Sequence, residues 1–580
     1  MRTRRLASAA GAALVCCASA LTIGSAQASV RDGGDDGDDH GGLRAINHIV
    51  VIYDENHSFD NLYGRWEGVD GLSRAPMAKT VQIAQNGTML PLLPQNDVNL
   101  PASTSNRPFD IARFIPPEAT TCPKPTEFFP TGVPNGTGLP GGCTRDLVHR
   151  YYQEQYQLNG GRQNRYTTGS DAVGLTQGHY DTRSLPIYTF LHSASAPRYA
   201  IADRLFQGAF GGSFLNHQWL MSARTPTFPG AVRDIAPVAG QLHSASGNDL
   251  HSVVDSNGFP NTYPLYTPTG LVADGALTQA ADANGRCVVP PGAATPKQGT
   301  VCGDFAVNTI QPSSQPFAPG TPVTRQLPAQ TAATIGDRLS AKGLDWAWYA
   351  GGWDNAAGEI TGAGWTMGDG SVGTCDNSKH SAGGTNEANP KDIYPYCATG
   401  DFQFHHQPLN YYRNFQQGQP GRSHLQDEAD FVNAARSGQL KPVSFVKPLG
   451  RENEHPGYAS ERTGSAHLVH LIKDVEEGPQ ADDTLIVVTY DEFGGQWDHV
   501  APPPAGRAGA VADRWGPGTR VPALLISPRL AERFQVDSTS HDTTSILATI
   551  EHRFGLAPLT SRDARVADFA GVLRGHHRRD

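Results

Sequence analysis

Two short stretches place acids where a buried strand would end. The first, INHIVVIYDENHSFDNLYG over residues 46–64, opens with an apolar run at 46–52. It stops at a polar knot of Asp54, Glu55, Asn56, His57, Ser58 and Asp60. A short β-branched run of this kind reads as a buried strand. In an open α/β sheet, ligands bind beyond the carboxyl ends of the strands. A carboxylate and an amide placed there offer hard oxygens to a divalent cation. The same residues also suit a cap on the next helix. The second stretch, DTLIVVTYDEFGGQWDHV over residues 483–500, ends its apolar run in Asp491-Glu492, then two glycines and Asp498-His499. Adjacent carboxylates repel unless a cation or proton lies between them. Two strands ending this way suggest one metal site fed from both ends of the chain, with a surface loop as the plain alternative.

A nucleophile and its helpers have candidates between these stretches. In GAFGGSFLNHQWLMSA, Ser213 follows Gly208, Gly211 and Gly212 and opens a helix-compatible run. A hydroxyl after glycines gains approach room and backbone N–H donors. It can equally be an N-cap. No G-x-S-x-G elbow is present, so a serine esterase triad is not indicated. The histidines that could handle protons or a phosphoryl group are His149, expected on a helix that stops at Asn159-Gly160-Gly161, the pair His405-His406, and His455.

The elements that must position these residues follow from the pattern. Apolar β runs at 46–52, 485–488, 442–446 and 520–527 alternate with helical stretches. They describe an α/β fold with a mostly parallel sheet and helices on both faces. Residues 344–349 read as a further core strand, 183–202 as helical, and 424–437, 464–476 and 540–554 as helices. The stretch 223–400 is rich in Pro and Gly and reads as a lid-like insertion, with Trp346, Trp348, Trp353 and Trp365 expected to pack rather than stack on ligand.

Charge and cysteines bound the setting. The 580-residue chain has a formal net charge of −10. That balance argues against a nucleic-acid binder and supplies no polybasic membrane anchor. Arg2, Arg4 and Arg5, the small apolar tract at 6–23 and Ala26-Gln27-Ala28 read as a cleavable export signal over residues 1–28. Residues 29–42 read as a solvated Asp/Gly linker, and 43–575 as the catalytic domain. Cys122, Cys143, Cys287, Cys302, Cys375 and Cys397 remain after the signal. In an exported chain they suggest disulfides between sequence neighbours.

Taken together, Glu55-Asn56 with Ser58-Phe59-Asp60, GGSFLNHQ at 211–218, FHHQP at 404–408, EHPGYASE at 454–461, and TYDE with GG and DH at 489–499 resemble a bacterial phosphoesterase family. That family joins secreted acid phosphatases to non-haemolytic phospholipases C within the alkaline-phosphatase-like superfamily. The resemblance implies Glu55, Asn56, Asp491 and Glu492 as metal ligands and Ser213 as a nucleophile that also touches the metal. It implies His149, His405, His406 and His455 as the histidines around the phosphoryl group. His57 stands where arginine is common in the family. The Gly-Gly-Ser-Phe-Leu-Asn pattern is closer to the acid-phosphatase branch than to the threonine motif of the phospholipase branch. The implied activity is hydrolysis of small phosphate esters or phospholipids, and the all-oxygen ligand set suits a divalent cation (Ca²⁺, Mg²⁺, Mn²⁺ or Zn²⁺). Protonated histidines would then hold the phosphate and favour acidic pH. Phospholipase C is the runner-up, and a non-catalytic exported binding protein the reading of another class.

Overall fold

The computed structural model describes residues 42–84, 86–93, 105–113, 115–119, 147–170, 173–229, 301–317, 323–357, 402–457, 459–504 and 512–573, with short pieces between 252 and 386. They fall in one unit, Asp39–Asp580. The export signal, nearly all of the linker, Cys122, Cys143, Cys375 and Cys397 lie outside the described residues. The expected Cys287–Cys302 bridge is present, with Cα atoms 5.2 Å apart.

The apolar runs form an eight-stranded sheet. In chain order its strands are β1 (His48–Asp54), β2 (Tyr199–Ala202), β3 (Trp346–Ala350), β4 (Leu425–Asp427), β5 (Val443–Lys447), β6 (Thr484–Tyr490), β7 (Ala523–Ile526) and β8 (Phe534–Asp537). Their spatial order is β4-β3-β5-β1-β6-β7-β2-β8. From β4 to β6 every pairing is parallel, and β8 is parallel to β2. The expected α/β fold with a mostly parallel sheet is therefore met. The four runs read as parallel need one correction: β7 is antiparallel to both β6 and β2. A parallel neighbour needs a long crossover, usually helical. The 491–522 connection forms no helix among its described residues.

The helices that matter are α1 (Tyr151–Leu158), α2 (Ser213–Ser222), α3 (Glu428–Ser437), α4 (Glu461–Glu476) and α5 (Thr544–Phe554). α1 stops at Asn159, in the left-handed region at φ 45°, as Asn-Gly-Gly suggests. His149 is not on that helix. It precedes the extended N-cap Arg150. The 183–202 stretch is also not one helix: helix ends at Leu191, and Tyr199–Ala202 is β2. Pro197, lying between the two, bars one continuous helix, because the residue before a proline is pushed out of helical geometry. Trp346, Trp348 and Trp353 are buried, as packing residues should be.

Strand alternation sends neighbouring side chains to opposite faces. Tyr53 points to α2, its hydroxyl donating to the Asn216 carbonyl at 3.4 Å. Asp54 faces the other layer, within the electrostatic reach of His467 on α4.

Candidate active site

β1 and β6 lie side by side with Asp54 opposite Tyr490. Their acids therefore leave the sheet together, although they are more than 400 residues apart in the chain. Asn56 turns at φ 58°, a left-handed conformation that asparagine tolerates better than most residues. Its N–H donates to Asp491 Oδ1 at 3.0 Å. The Glu492 N–H donates to the same oxygen at 2.7 Å. Gly494 seals the junction: at φ +61°, a Cβ there would sit 2.1 Å from the Asn56 carbonyl oxygen. Only glycine lets the two turns touch.

α2 begins under this junction. Gly212 is its N-cap and Ser213 its first helical residue, with no side-chain cap. Ser213 is thus not the cap its sequence also allowed. The first knot does contain a cap, since Ser58 Oγ accepts from the Asn61 N–H at 3.3 Å.

Ser213 Oγ lies 3.1 Å from Glu55 Oε2, 3.3 Å from Asn56 Oδ1 and 3.4 Å from Glu492 Oε1. A hydroxyl has one hydrogen to donate, so it cannot satisfy three acceptors. Among the described residues no hydrogen-bond donor reaches Asp491 Oδ2. All these side chains are buried. Converging oxygens in excess of the available protons fit a hard divalent cation. Burial, reinforced by Asp491, holds Glu55 well above the usual carboxylate range. Burial also raises Asp491 and Glu492. One cation is built in: buried Lys447, at the end of β5, pairs with Glu55 and donates to the Tyr53 carbonyl at 2.9 Å. A further donor group adjoins the oxygens, with one ligand atom each from Glu55, His217 and His406 within 4.8 Å of one another.

The histidines are arranged by backbone carbonyls. His149 Nδ1 faces the Leu147 carbonyl, and His455 Nδ1 lies 2.7 Å from the Pro456 carbonyl. A carbonyl only accepts, so Nδ1 carries the proton in both rings and Nε2 holds the lone pair. Both Nε2 atoms face the Asn56 amide, at 3.4 Å for His149 and 3.0 Å for His455. Asn56 Nδ2 donates to them and thereby turns Oδ1 toward Ser213. His149 Nε2 also lies 3.4 Å from Glu492 Oε1. His406 Nδ1 lies 3.2 Å from Glu55 Oε1, and the His405 ring packs 4.3 Å from it. The structure thus gathers Glu55, Asn56, Ser213, Asp491, Glu492, His149, His406 and His455, with His405 against His406. Burial pulls the His149 ring down to about 4 and His405 to about 3, and lowers His406 and His455 well below the usual range. These rings are neutral near pH 7 before any anion arrives, so a standing set of imidazoliums is not what the fold builds.

The phosphoesterase family profile matches residues 46–557, nearly the whole described domain. The chain belongs to the phosphoesterase family. Relatives of this phosphoesterase include non-specific phospholipase C6 of Arabidopsis thaliana, 30% identical over 190 residues, covering 28% of this chain and 36% of the relative. Phospholipase C B of Mycobacterium tuberculosis is 34% identical over 165 residues, 25% of this chain and 31% of the relative. The matched stretches therefore span about a third of these relatives. Among solved structures, a protein of the alkaline phosphatase superfamily from Vibrio parahaemolyticus is similar at 12% identity and TM-score 0.20, over 40% of this chain and 50% of that one.

Two residues of the phosphoesterase site escaped the sequence reading. His217 Nδ1 lies 2.8 Å from the Ser213 carbonyl and its ring stacks on His406 at 4.9 Å. Its signal was the i, i+4 spacing from Ser213, which puts both on one helix face. Lys447 had only its place at the end of an apolar run. His57 turns away from Ser213, with Nδ1 2.7 Å from Asn61 Oδ1 and Nε2 2.9 Å from the Glu454 carbonyl. A cavity of about 700 Å³ lies elsewhere, lined by Asp70, Arg74, Lys79, Arg204 and His499 among others.

Proposed function

We propose that the chain is an exported, metal-dependent phosphoric ester hydrolase that acts on phosphomonoesters through a phosphoserine intermediate. The observation that carries this reading is the Ser213 hydroxyl set among Glu55, Asn56 and Glu492 at 3.1–3.4 Å. Glu55, Asn56, Asp491, Glu492 and Ser213 would hold the cation, which would lower the hydroxyl pKa and neutralise developing charge. Ser213 Oγ attacks phosphorus: the Oγ–P bond forms as the bond to the leaving oxygen breaks. Neutral His149 and His455 present lone pairs to the site, so each can take a proton brought in by the phosphate or by Ser213 and pass it to the leaving oxygen. Water then attacks the phosphoserine and releases phosphate. His217 and Asn56 act by orientation, Asn56 through its two imidazole partners.

Monoesters come first because the GGSFLN motif resembles the acid-phosphatase branch. The phospholipase C names of the relatives favour a second reading, diester cleavage at a lipid head group, by the same residues. Among the described residues no helix is long and apolar enough to cross a membrane.

The test is turnover of p-nitrophenyl phosphate and of its phosphorylcholine diester from pH 4 to 9, with and without a chelator. Faster monoester hydrolysis, abolished by chelation, is expected. Ser213→Ala should lower kcat on the order of 10³-fold or more with the fold intact. Preference for the diester would move the assignment to phospholipase C. Turnover within tenfold of wild type in Ser213→Ala would sink the phosphoserine route.

A further inference from the structure

The cavity of about 700 Å³ lies at the same end of the sheet as Ser213. β7 is antiparallel to both β6 and β2, so β2 and its parallel partner β8 run with β1 and β6. The cavity walls come from chain that follows the carboxyl ends of these four strands. Asp70, Arg74 and Lys79 follow β1, Arg204 follows β2, as Ser213 does, His499 follows β6, and Ser540 follows β8. That end is where an α/β sheet receives its ligands. The volume falls within the usual range of small-molecule sites.

These walls are positive although the chain carries a net charge of −10. Arg74, Lys79 and Arg204 line the cavity with a single acid, Asp70. Among the described residues, the ion pairs of the walls are Arg204 with Asp70, 4.0 Å apart, and His499 with Asp60 and Asp70. None of them takes up Arg74 or Lys79. With His499 balanced by Asp60, three cations against one acid leave a surplus of two positive charges. Phe206, Val500 and Pro502 add apolar lining. The walls are already fixed in place. Arg520 donates to the Asp70 and Asp203 carbonyls at 2.7 and 2.8 Å, and Trp497 Nε1 donates to the Lys79 carbonyl at 3.1 Å. A site held this way loses little freedom when a ligand enters.

We propose that this cavity binds an organic phosphate, a dianionic phosphoryl group carrying an apolar substituent, at a site separate from Ser213. The guanidinium groups of Arg74 and Arg204 match the oxygen edges of a phosphoryl group, and Lys79 adds a point charge. The dianion cancels the surplus of positive charge, and Phe206, Val500 and Pro502 receive the apolar part. Inorganic phosphate brings the charge without the apolar part. A carboxylate brings only half the charge. Binding here needs no metal and none of the residues around Ser213.

The test is calorimetric titration of phenylphosphonate, whose C–P bond ester hydrolysis does not cleave, into the full chain. Low salt and about pH 8 keep the charges unscreened and the probe a dianion. Wild type is compared with Arg74→Gln/Lys79→Gln and with Asp491→Asn/Glu492→Gln. Arg74→Gln/Lys79→Gln should lose one equivalent, or bind it at least about tenfold more weakly, and Asp491→Asn/Glu492→Gln should keep that equivalent. Binding that only Asp491→Asn/Glu492→Gln abolishes belongs to Ser213 and overturns the proposal, as does a wild-type chain that binds nothing. The readout does not use turnover, so failure of the phosphoserine route leaves it standing. Benzoate and inorganic phosphate should each bind at least about tenfold more weakly than phenylphosphonate; either one matching it overturns the assignment to an organic phosphate. Should Arg74→Gln/Lys79→Gln fail to fold by circular dichroism, Ser540→Glu decides, because Ser540 is exposed and lines the cavity: weakened binding supports the site and unchanged binding overturns it.

Discussion

Glu55 is buried among the side chains of Asn56, Ser213, Asp491 and Glu492, and the positive group the chain itself places against it is Lys447. Removing one partner of a buried pair usually costs about 3–5 kcal/mol, because the other charge is left uncompensated. A divalent cation at Ser213 would take over part of that compensation. Lys447→Met should therefore lower the midpoint of thermal unfolding strongly in chelator and less in saturating cation. An equal loss in both conditions would mean that Glu55 does not share its charge with a metal. The same residues show what the sequence could disclose. Acids at the ends of apolar runs were legible, because a strand end is a fixed place in an α/β sheet. The value of Asn56 was legible only in part: its two imidazole partners lie 93 and 399 residues away, and no local pattern encodes such a contact. His217 was within reach of helical spacing. Lys447 was not, since a lysine after a strand normally ends in solvent.

At the scale of elements, the site depends on how closely the turns after β1 and β6 approach. Parallel registry brings them level, and Gly494 removes the side chain that would hold them apart. Gly494→Ala meets two penalties, a left-handed φ of +61° and a Cβ 2.1 Å from the Asn56 carbonyl. A strained backbone position costs about 1–3 kcal/mol, and relief would move Asn56 and Glu492 away from Ser213. Denaturant unfolding should show that loss, and kcat should fall more than tenfold. Gly571→Ala is the control, for a Cβ there meets nothing within 4 Å; it should leave both unchanged. Elements differed in how far they could be read. Runs of Val, Ile and Leu announced β1 and β6, and the shorter Val-Ser-Phe-Val announced β5, because these strands are buried on both faces. The direction of β7 and the identity of β2 were set by the connections around them, which composition does not specify.

Across the whole molecule, distant parts of the chain are fastened by the network around Arg520. Its guanidinium holds Asp60 and Asp498, donates to the Asp70 and Asp203 carbonyls at 2.7 and 2.8 Å, and covers the Phe59 ring at 4.2 Å. His499 closes the network, with Nδ1 2.6 Å from Asp60 Oδ2 and Nε2 3.3 Å from Asp70 Oδ1. Burial alone would pull His499 down, but Asp60 outweighs it and the ring is raised above its ordinary value. A raised histidine stabilises the fold fully below its unfolded pKa, about 6.5. That contribution is lost as pH rises through the folded value, because the folded state then releases the proton it held more tightly. Stability of the wild-type protein, measured by thermal unfolding in chelator, should decline as pH rises above about 6.5. His499→Gln should cost about 1.5–3 kcal/mol at pH 6, where a charge-assisted hydrogen bond is lost, and progressively less as pH rises. The two stability curves should therefore converge at alkaline pH. Parallel curves would assign the decline to another group and leave His499 a neutral member of the network, with Arg520 alone balancing Asp60 and Asp498.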